Sequence, residues 1–354
     1  MRIPLINKIL LVLYAISIIA VGAAALIAPG FRAVAYAPLR ELILPPPAPI
    51  VVDMLYSTEK EAWLESELEL FYDTNPRQNG RPIEIQLEPM GSREIVLAVM
   101  EGRQPDMISP AGSLQISILE DLSRTRFGAP IVNRMDPELC RSVVTTPLVL
   151  ISWEERADVL FNGKPRSALW TVLGDAIQDP TGWAAYGQPD WGYVKFSHTS
   201  PLSSNSGFMA ILLMTYDYYG KTNSLSSSDL LSNEGYQEWF MNYENAVSTF
   251  EYSTGPLMEK MITYGPSSYD VAAVYEATAI ENIENAVGKY GELRVFYPPA
   301  TVWSDHPFCV LNADWVDSET AAAAQQFIDF LSQEESVRTA LVEHGFRPTE
   351  GSIP

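Results

Sequence analysis

The sequence predicts an α/β protein folded as two lobes, and three observations carry that prediction. Short β-branched strands alternate with amphipathic helices, two extended stretches are placed to cross between halves, and a buried helix follows a hydroxyl-rich loop at a strand end. Strand–helix–strand order of this kind builds a parallel sheet, which binds ligands at the carboxyl ends of its strands. At 354 residues the chain is long enough for a two-lobed body with a sizeable core.

In chain order, a stub of residues 1–8 carrying Arg2 and Lys8 precedes the uncharged run Ile9 to Ala28. A run of 20 such positions spans a bilayer as a helix. It also resembles a secretory signal, because Ala33-Val34-Ala35 and Ala35-Tyr36-Ala37 both fit a small-residue cleavage pattern. Its length exceeds the usual signal core of about 7–15 residues, which favours an uncleaved anchor. Residues 29–49 end in a Pro-rich run, a stiff spacer holding the body off the membrane.

The body begins with a strand, Ile50 to Tyr56, and Thr58 with Glu61 matches a capping box for a helix bearing Leu64, Leu68 and Phe71. Ile83, Ile85 and Leu87 alternate as a second strand, Ser92 to Glu101 reads as a helix, and Gly102 ends it. Gln104 to Ser113 is a short strand breaking into a small hydroxyl-bearing loop. Ser142 to Ser152 is extended and reads as the crossover into a second lobe; His306 to Asn312 reads as the return. Between them come a helix over Ala168 to Ala176, an aromatic turn-rich segment at Gly182 to Gly192, and the stretch Lys195 to Tyr216 (KFSHTSPLSSNSGFMAILLMTY). The aromatics serve either as stacking surfaces for a ligand or as core plugs. Ala246 to Tyr264 is expected to be helical, and Tyr269 to Val274 is a strand with Tyr275 and Glu276 at its carboxyl end. The last helices start at Ala321 and at a second capping box, Ser332 with Glu335.

The stretch from Lys195 organises the functional reading. Ser203, Ser204, Asn205 and Ser206 are all good helix N-caps, and Gly207 permits close backbone approach. A helix N-terminus offers unpaired N–H groups and a partial positive charge, so such a junction receives an anion or a polar ligand. Net charge of −21 argues against a nucleic-acid partner, which requires clustered Lys and Arg. Three scattered histidines make no metal site, and no cofactor motif is present. Cys140 and Cys309 are either one disulfide or two buried thiols. No G-x-S-x-G elbow accompanies His198, whose strand alternation turns it from the loop, so hydrolysis is disfavoured. Asp305 and His306 read as a turn before the return crossover rather than as ligand contacts.

Three pieces then bear a family likeness: the strand and helix from Val51 to Phe71, the run Gly102-Arg103-Gln104-Pro105-Asp106-Met107-Ile108, and the tail Ala324 to Pro348 (AQQFIDFLSQEESVRTALVEHGFRP). Over residues 50–354 the chain resembles bacterial extracellular solute-binding proteins of the type 2 periplasmic-binding fold, in the branch with molybdate, sulfate and thiosulfate receptors. That resemblance implies lobe 1 at 50–147 plus 308–354, lobe 2 at 148–307, and a small polar or anionic solute clasped between them. It implies ligand-binding positions at Ser57, Thr58, Ser109, Ser113, Ser204, Asn205, Ser206, Tyr275 and Glu276. It further implies no catalysis, an ABC-type permease as partner, and a body outside the cytoplasm. Glu276 fits poorly beside a dianion, since like charges at short range in a dry cleft repel strongly, which leaves room for a cation, a polyol or an amino-bearing solute. The competing function is an anchored sensory or interaction ectodomain with the same fold and no transporter.

Overall fold

The computed structural model describes residues 5–27 and 47–349, with side chains of the first segment described from 8 to 24. Helix α1 (Leu5–Ile27) covers most of the expected apolar run, and its described large side chains, such as Leu11 and Ile19, are exposed. Among the described residues no helix is long and apolar enough to cross a membrane. The cleavage-like tripeptides and most of the Pro-rich spacer lie outside the described residues.

The strands are β1 (Ile50–Ser57), β2 (Arg77–Gln78), β3 (Arg81–Met90), β4 (Met107–Ser109) and β5 (Cys140–Ser142), with β6 (Val144–Trp153) directly after. Then follow β7 (Phe196–Thr199), β8 (Thr249–Glu251), β9 (Val271–Tyr275), β10 (Leu293–Phe296) and β11 (Trp303–Ser304). Last come β12 (Pro307–Val310) and β13 (Arg347–Pro348). The helices between them are α2 (Glu61–Asp73), α3 (Ser92–Glu101), α4 (Ser113–Phe127), α5 (Glu154–Leu160), α6 (Leu169–Gln178) and α7 (Asn205–Tyr218). They continue with α8 (Ser227–Leu231), α9 (Glu234–Ala246), α10 (Thr254–Tyr264), α11 (Glu276–Ala286), α12 (Ser318–Leu331) and α13 (Glu334–Val342).

Two mixed sheets result. The first has the order β2-β3-β1-β4-β12-β5, with β1 parallel to β3 and β4 and the returning β12 antiparallel. The second runs β10-β6-β9-β7-β8, with β11 and β13 also pairing along β6. Both faces of each sheet are covered. Trp63, Phe71 and Phe327 pack on one face of the first, and Ile95, Val99 and Leu119 on the other. Leu173, Met214 and Tyr243 belong to one core beside the second sheet, and Leu257, Met261 and Ala279 to another. Double coverage explains why β6 and β9 read as nearly continuous apolar runs, while β3, toward the edge of its sheet, alternates. Cys140 and Cys309 face each other across β5 and β12 as a disulfide spanning 169 positions, which resolves the alternatives left open by the sequence.

Three local expectations are corrected, and one open alternative is settled. Thr58 and Glu61 make no capping box. Thr58 opens a 3-10 turn, and its hydroxyl is drawn to the start of α10 instead. Ser332 bonds back to the Ile328 carbonyl at 2.7 Å, closing α12, while Gln333 holds the N-cap of α13 without a side-chain bond. The predicted helix at Ala246 to Tyr264 is split, because exposed Thr249 and Phe250 pair with β7 as an edge strand. Among the aromatics at 182–192, Trp183 is fully buried, its indole N–H donating to Asp270, and Arg156 stacks over Trp191 at 3.3 Å. These two rings plug the second half's core.

Candidate functional site

Four strands end at one place. The carboxyl ends of β1 and β4 in the first sheet (Ser57, Ser109) meet those of β7 and β9 in the second (Thr199, Tyr275), and each end is followed by the first turn of a helix. Hydrogen bonds cross the meeting line. Thr58 Oγ1 lies 2.6 Å from Ser253 Oγ and accepts from the Gly255 amide at 3.2 Å. The Ser203 carbonyl accepts from the Arg93 and Glu94 amides at 2.8 and 3.0 Å, so the hydroxyl-rich loop caps helix α3 of the opposite half. A Cβ at Gly91 would sit 2.5 Å from that carbonyl, so the approach requires glycine there. Gln115 Nε2, in the first turn of α4, donates to Asn205 Oδ1 at 3.3 Å.

The second half contributes neutral groups. Asn205 Nδ2 donates to the Tyr275 hydroxyl at 3.0 Å and to Ser304 Oγ at 3.2 Å. Ser206 Oγ sits in a knot of hydroxyls, 2.7 Å from Thr199 Oγ1, 3.0 Å from Ser204 Oγ and 2.6 Å from Thr254 Oγ1. Ser204 is the N-cap of α7 by backbone, yet its side chain makes no capping bond. The expected capping chemistry is thus replaced by hydroxyl-to-hydroxyl bonding. Gly207 allows it: a Cβ there would fall 2.0 Å from the Thr199 carbonyl. Burial raises the Tyr275 phenol well above its ordinary value, with the Glu59 carboxylate adding to the effect, so it stays protonated.

The first half contributes charge. Lys60 is fully buried, with its ammonium donating to Ser57 Oγ, 3.3 Å from His306 Nδ1, 3.5 Å from the Pro110 carbonyl and 3.6 Å from Glu59 Oε1. Ser57 in turn donates to Glu59 Oε1 at 2.5 Å, and His306 Nδ1 lies 3.4 Å from the same oxygen. Burial lowers the Lys60 pKa to about 8, with Glu59 and Asp305 opposing the shift. His306 is held well below its ordinary value, first by burial and then by the Lys60 charge, so the ring is neutral. Asp305 caps α4: it accepts from the Ser113 amide at 2.7 Å and from the hydroxyls of Ser113 and, at 2.9 Å, Ser142.

Of the sequence-derived candidates, Ser57, Ser109, Asn205 and Tyr275 gather around this cluster. Ser113 joins it through Asp305, and Thr58, Ser204 and Ser206 form the hydroxyl network beside it. Glu276 does not join. Its carboxylate is clasped by Arg347 through two bonds of 2.7 Å and accepts from the Tyr297 hydroxyl. The sequence reading missed Glu59, Lys60, Ser253, Thr254 and Gln115, and it read Asp305 and His306 as a turn only. That turn exists, but its side chains point inward: His306 adopts φ 38°, and its amide donates to the Ala111 carbonyl at 3.0 Å. One signal was available for Lys60. It lies three positions after Ser57 at a strand-to-helix junction, which brings both side chains to one side of the first turn. His198 does turn from the loop, as alternation predicts, and bonds Glu244 at 3.1 Å. Among the described residues, no His, Cys, Asp and Glu cluster is arranged to hold a metal ion.

This arrangement, two sheets presenting helix starts to one buried polar cluster, is matched by comparison with known proteins. The family described as bacterial extracellular solute-binding protein matches residues 54–347. The chain belongs to that family. Members bind solutes outside the cytoplasm, so this solute-binding protein is a receptor and not an enzyme. No curated protein matches it in sequence. Solved structures share the fold at low identity. The sulfate-binding protein SubI from Mycobacterium tuberculosis H37Rv is 17% identical with a TM-score of 0.56, covering 86% of this chain and 88% of that one. The periplasmic molybdate-binding protein of Azotobacter vinelandii is 14% identical, TM-score 0.52, over 86% and 99%. A periplasmic thiamin binding protein is 12% identical, TM-score 0.58, over 88% of each chain. Identities this low establish the shared fold alone.

Proposed function

We propose that this solute-binding protein captures a small polar or anionic solute between lobe 1 (50–147 plus 308–354) and lobe 2 (148–307), and delivers it to an ABC-type permease. The observation that carries the reading is the convergence of Ser57, Ser109, Asn205 and Tyr275 from four strand ends on one buried polar cluster bridged across the two sheets. Ser57, Thr58, Ser109, Ser113, Ser204, Asn205, Ser206 and Tyr275 form the ligand set, supplemented by Lys60 and His306. Glu276 is left out, since Arg347 and Tyr297 occupy its carboxylate. The apolar run at 9–28 tethers the body to the membrane, with residues 1–8 in the cytoplasm.

Closure works only if the closed state binds the solute better than the open one, because a ligand shifts an equilibrium no further than its differential affinity allows. A thermal-shift screen of the full chain against oxyanions, small carboxylates, sugars and amino acids tests the reading, since a bound ligand raises apparent stability by mass action. At least one class is expected to stabilise the protein, and Asn205→Leu is expected to abolish that shift while leaving the ligand-free transition cooperative. Stabilisation that survives Asn205→Leu places binding elsewhere and overturns the reading.

A further inference from the structure

The charge balance inside the cleft goes beyond what hydroxyls and helix starts supply. Lys60 is a fully buried ammonium whose nearest carboxylate oxygen, Glu59 Oε1, stands 3.6 Å away and is already bonded to Ser57 at 2.5 Å. Its one close bond is to the neutral Ser57 hydroxyl, and its contacts to His306 Nδ1 and the Pro110 carbonyl are long, at 3.3 and 3.5 Å. The ammonium thus has hydrogen-bond acceptors but no carboxylate oxygen nearer than 3.6 Å, whereas a buried charge ordinarily demands a close opposite charge. Two buried donors near it also lack hydrogen-bond partners. One is Ser109 Oγ, on the residue whose carbonyl accepts from Ser57. The other is His306 Nε2: with Nδ1 accepting from Lys60, the neutral ring carries its proton on Nε2. An ammonium and two free donors in one buried place call for an acceptor with negative charge.

How much negative charge is set by the neighbours. Glu59 and Asp305 are the carboxylates of the cleft, and Asp305 already occupies the N-terminus of α4 with both oxygens. His306 and Tyr275 face the cluster as neutral groups. Among the described residues no second Lys or Arg is ion-paired with Glu59 or Asp305, so a second ligand charge would meet these carboxylates uncompensated, and an uncharged solute would leave the ammonium without a close negative partner.

We propose, resting on the cleft reading above, that the solute is a monoanion whose charge pairs with the Lys60 ammonium. Nitrate, acetate and lactate are suitable probes, with sulfate and molybdate as dianions and maltose as an uncharged control. Capture by this route requires the protonated lysine. Burial already brings that group to about 8, so affinity falls by up to tenfold per pH unit above that value.

The test is titration of the full chain with each probe at constant ionic strength from pH 6.5 to 9.5, repeated for Lys60→Met and Asn205→Leu. The expected result is stabilisation by a monoanion at pH 7 that fades above pH 8, with loss of at least tenfold in affinity in Lys60→Met. Because the wild-type pH profile needs no variant, misfolding of Lys60→Met does not block the test. The proposal is overturned if no monoanion probe binds, or if binding is flat across pH 8 to 9.5. It is also overturned if sulfate, molybdate or maltose binds and survives Lys60→Met. Where such binding is still lost in Asn205→Leu, the cleft reading stands and only the monoanion assignment fails. Binding that persists in Asn205→Leu removes the cleft reading itself.

Discussion

The two sides of the proposed cleft are built from opposite chemistry. On the first-sheet side, Lys60, Glu59, Asp305 and His306 put titratable groups into a dry space. On the second-sheet side, Thr199, Ser204, Asn205, Ser206, Thr254 and Tyr275 offer hydroxyls and an amide whose protonation does not change in the ordinary pH range. Neutral donors arranged in a network tolerate burial because each finds a partner, as the bonds of 2.6 to 3.0 Å around Ser206 show. Buried charge lacks that tolerance and remains sensitive to protons and counter-ions. On the proposed reading the second wall sets shape, and the first sets which charge is admitted.

The sharpest way to break this contrast is to disturb the neutral wall's backbone. Gly207→Ala would drive a methyl into the Thr199 carbonyl, 2.0 Å from the ideal Cβ position. With no flexible side chain to yield, the expected loss is more than about 3 kcal/mol at all pH values, checked by denaturant unfolding. A loss under about 1 kcal/mol would mean that the α7 start is not rigid, and shape selection by this wall would fail.

The charged wall is tested by pH. The Lys60 pKa is lowered to about 8 in the folded protein, while the unfolded chain keeps its ordinary value near 10.5. Between these values the unfolded chain binds more protons, so the Lys60 contribution makes stability rise with pH across that window, by up to about 3 kcal/mol. His306, held neutral in the fold, adds a loss of stability as pH falls below its ordinary value of about 6.5. Unfolding free energies of wild type and Lys60→Met between pH 7 and 10.5 are expected to differ in slope. Parallel curves would remove Lys60 from its buried position.

Glu276 supplies the smallest and most discriminating effect. Glu276→Gln weakens the clasp with Arg347 and is expected to cost about 2 kcal/mol of stability without changing solute affinity. A change in affinity greater than stability accounts for would return Glu276 to the binding wall.

Much of the fold was legible in local pattern. The strands at Ile50 and Ile83, the helix stopped by Gly102, and the return at His306 to Asn312 follow from alternation, capping and breaker residues that act over a few positions. Ser57, Ser109, Asn205 and Tyr275 were legible for the same reason, since each sits where a predicted strand hands over to a loop or helix. The failures have one cause. Thr58 was assigned to its own helix and bonds across to Ser253; Ser332 was assigned forward and bonds backward. A hydroxyl's partner is chosen by what tertiary packing brings within 3 Å, and a short polar motif is equally compatible with several partners.

The same division holds for charge. By itself the sequence determined that the chain folds as alternating strands and helices, carries a strongly acidic surface, and ends its strands in hydroxyls, because composition and short-range periodicity encode these. Which acid lies in the buried cluster was decided only by the fold. Glu276 adjoins Tyr275 in sequence yet is paired with Arg347, some 71 positions away, while Asp305 comes from a distant segment to join Glu59 near Lys60. Electrostatic energy depends on separation in space and on burial, and neither quantity is set until both sheets are in place.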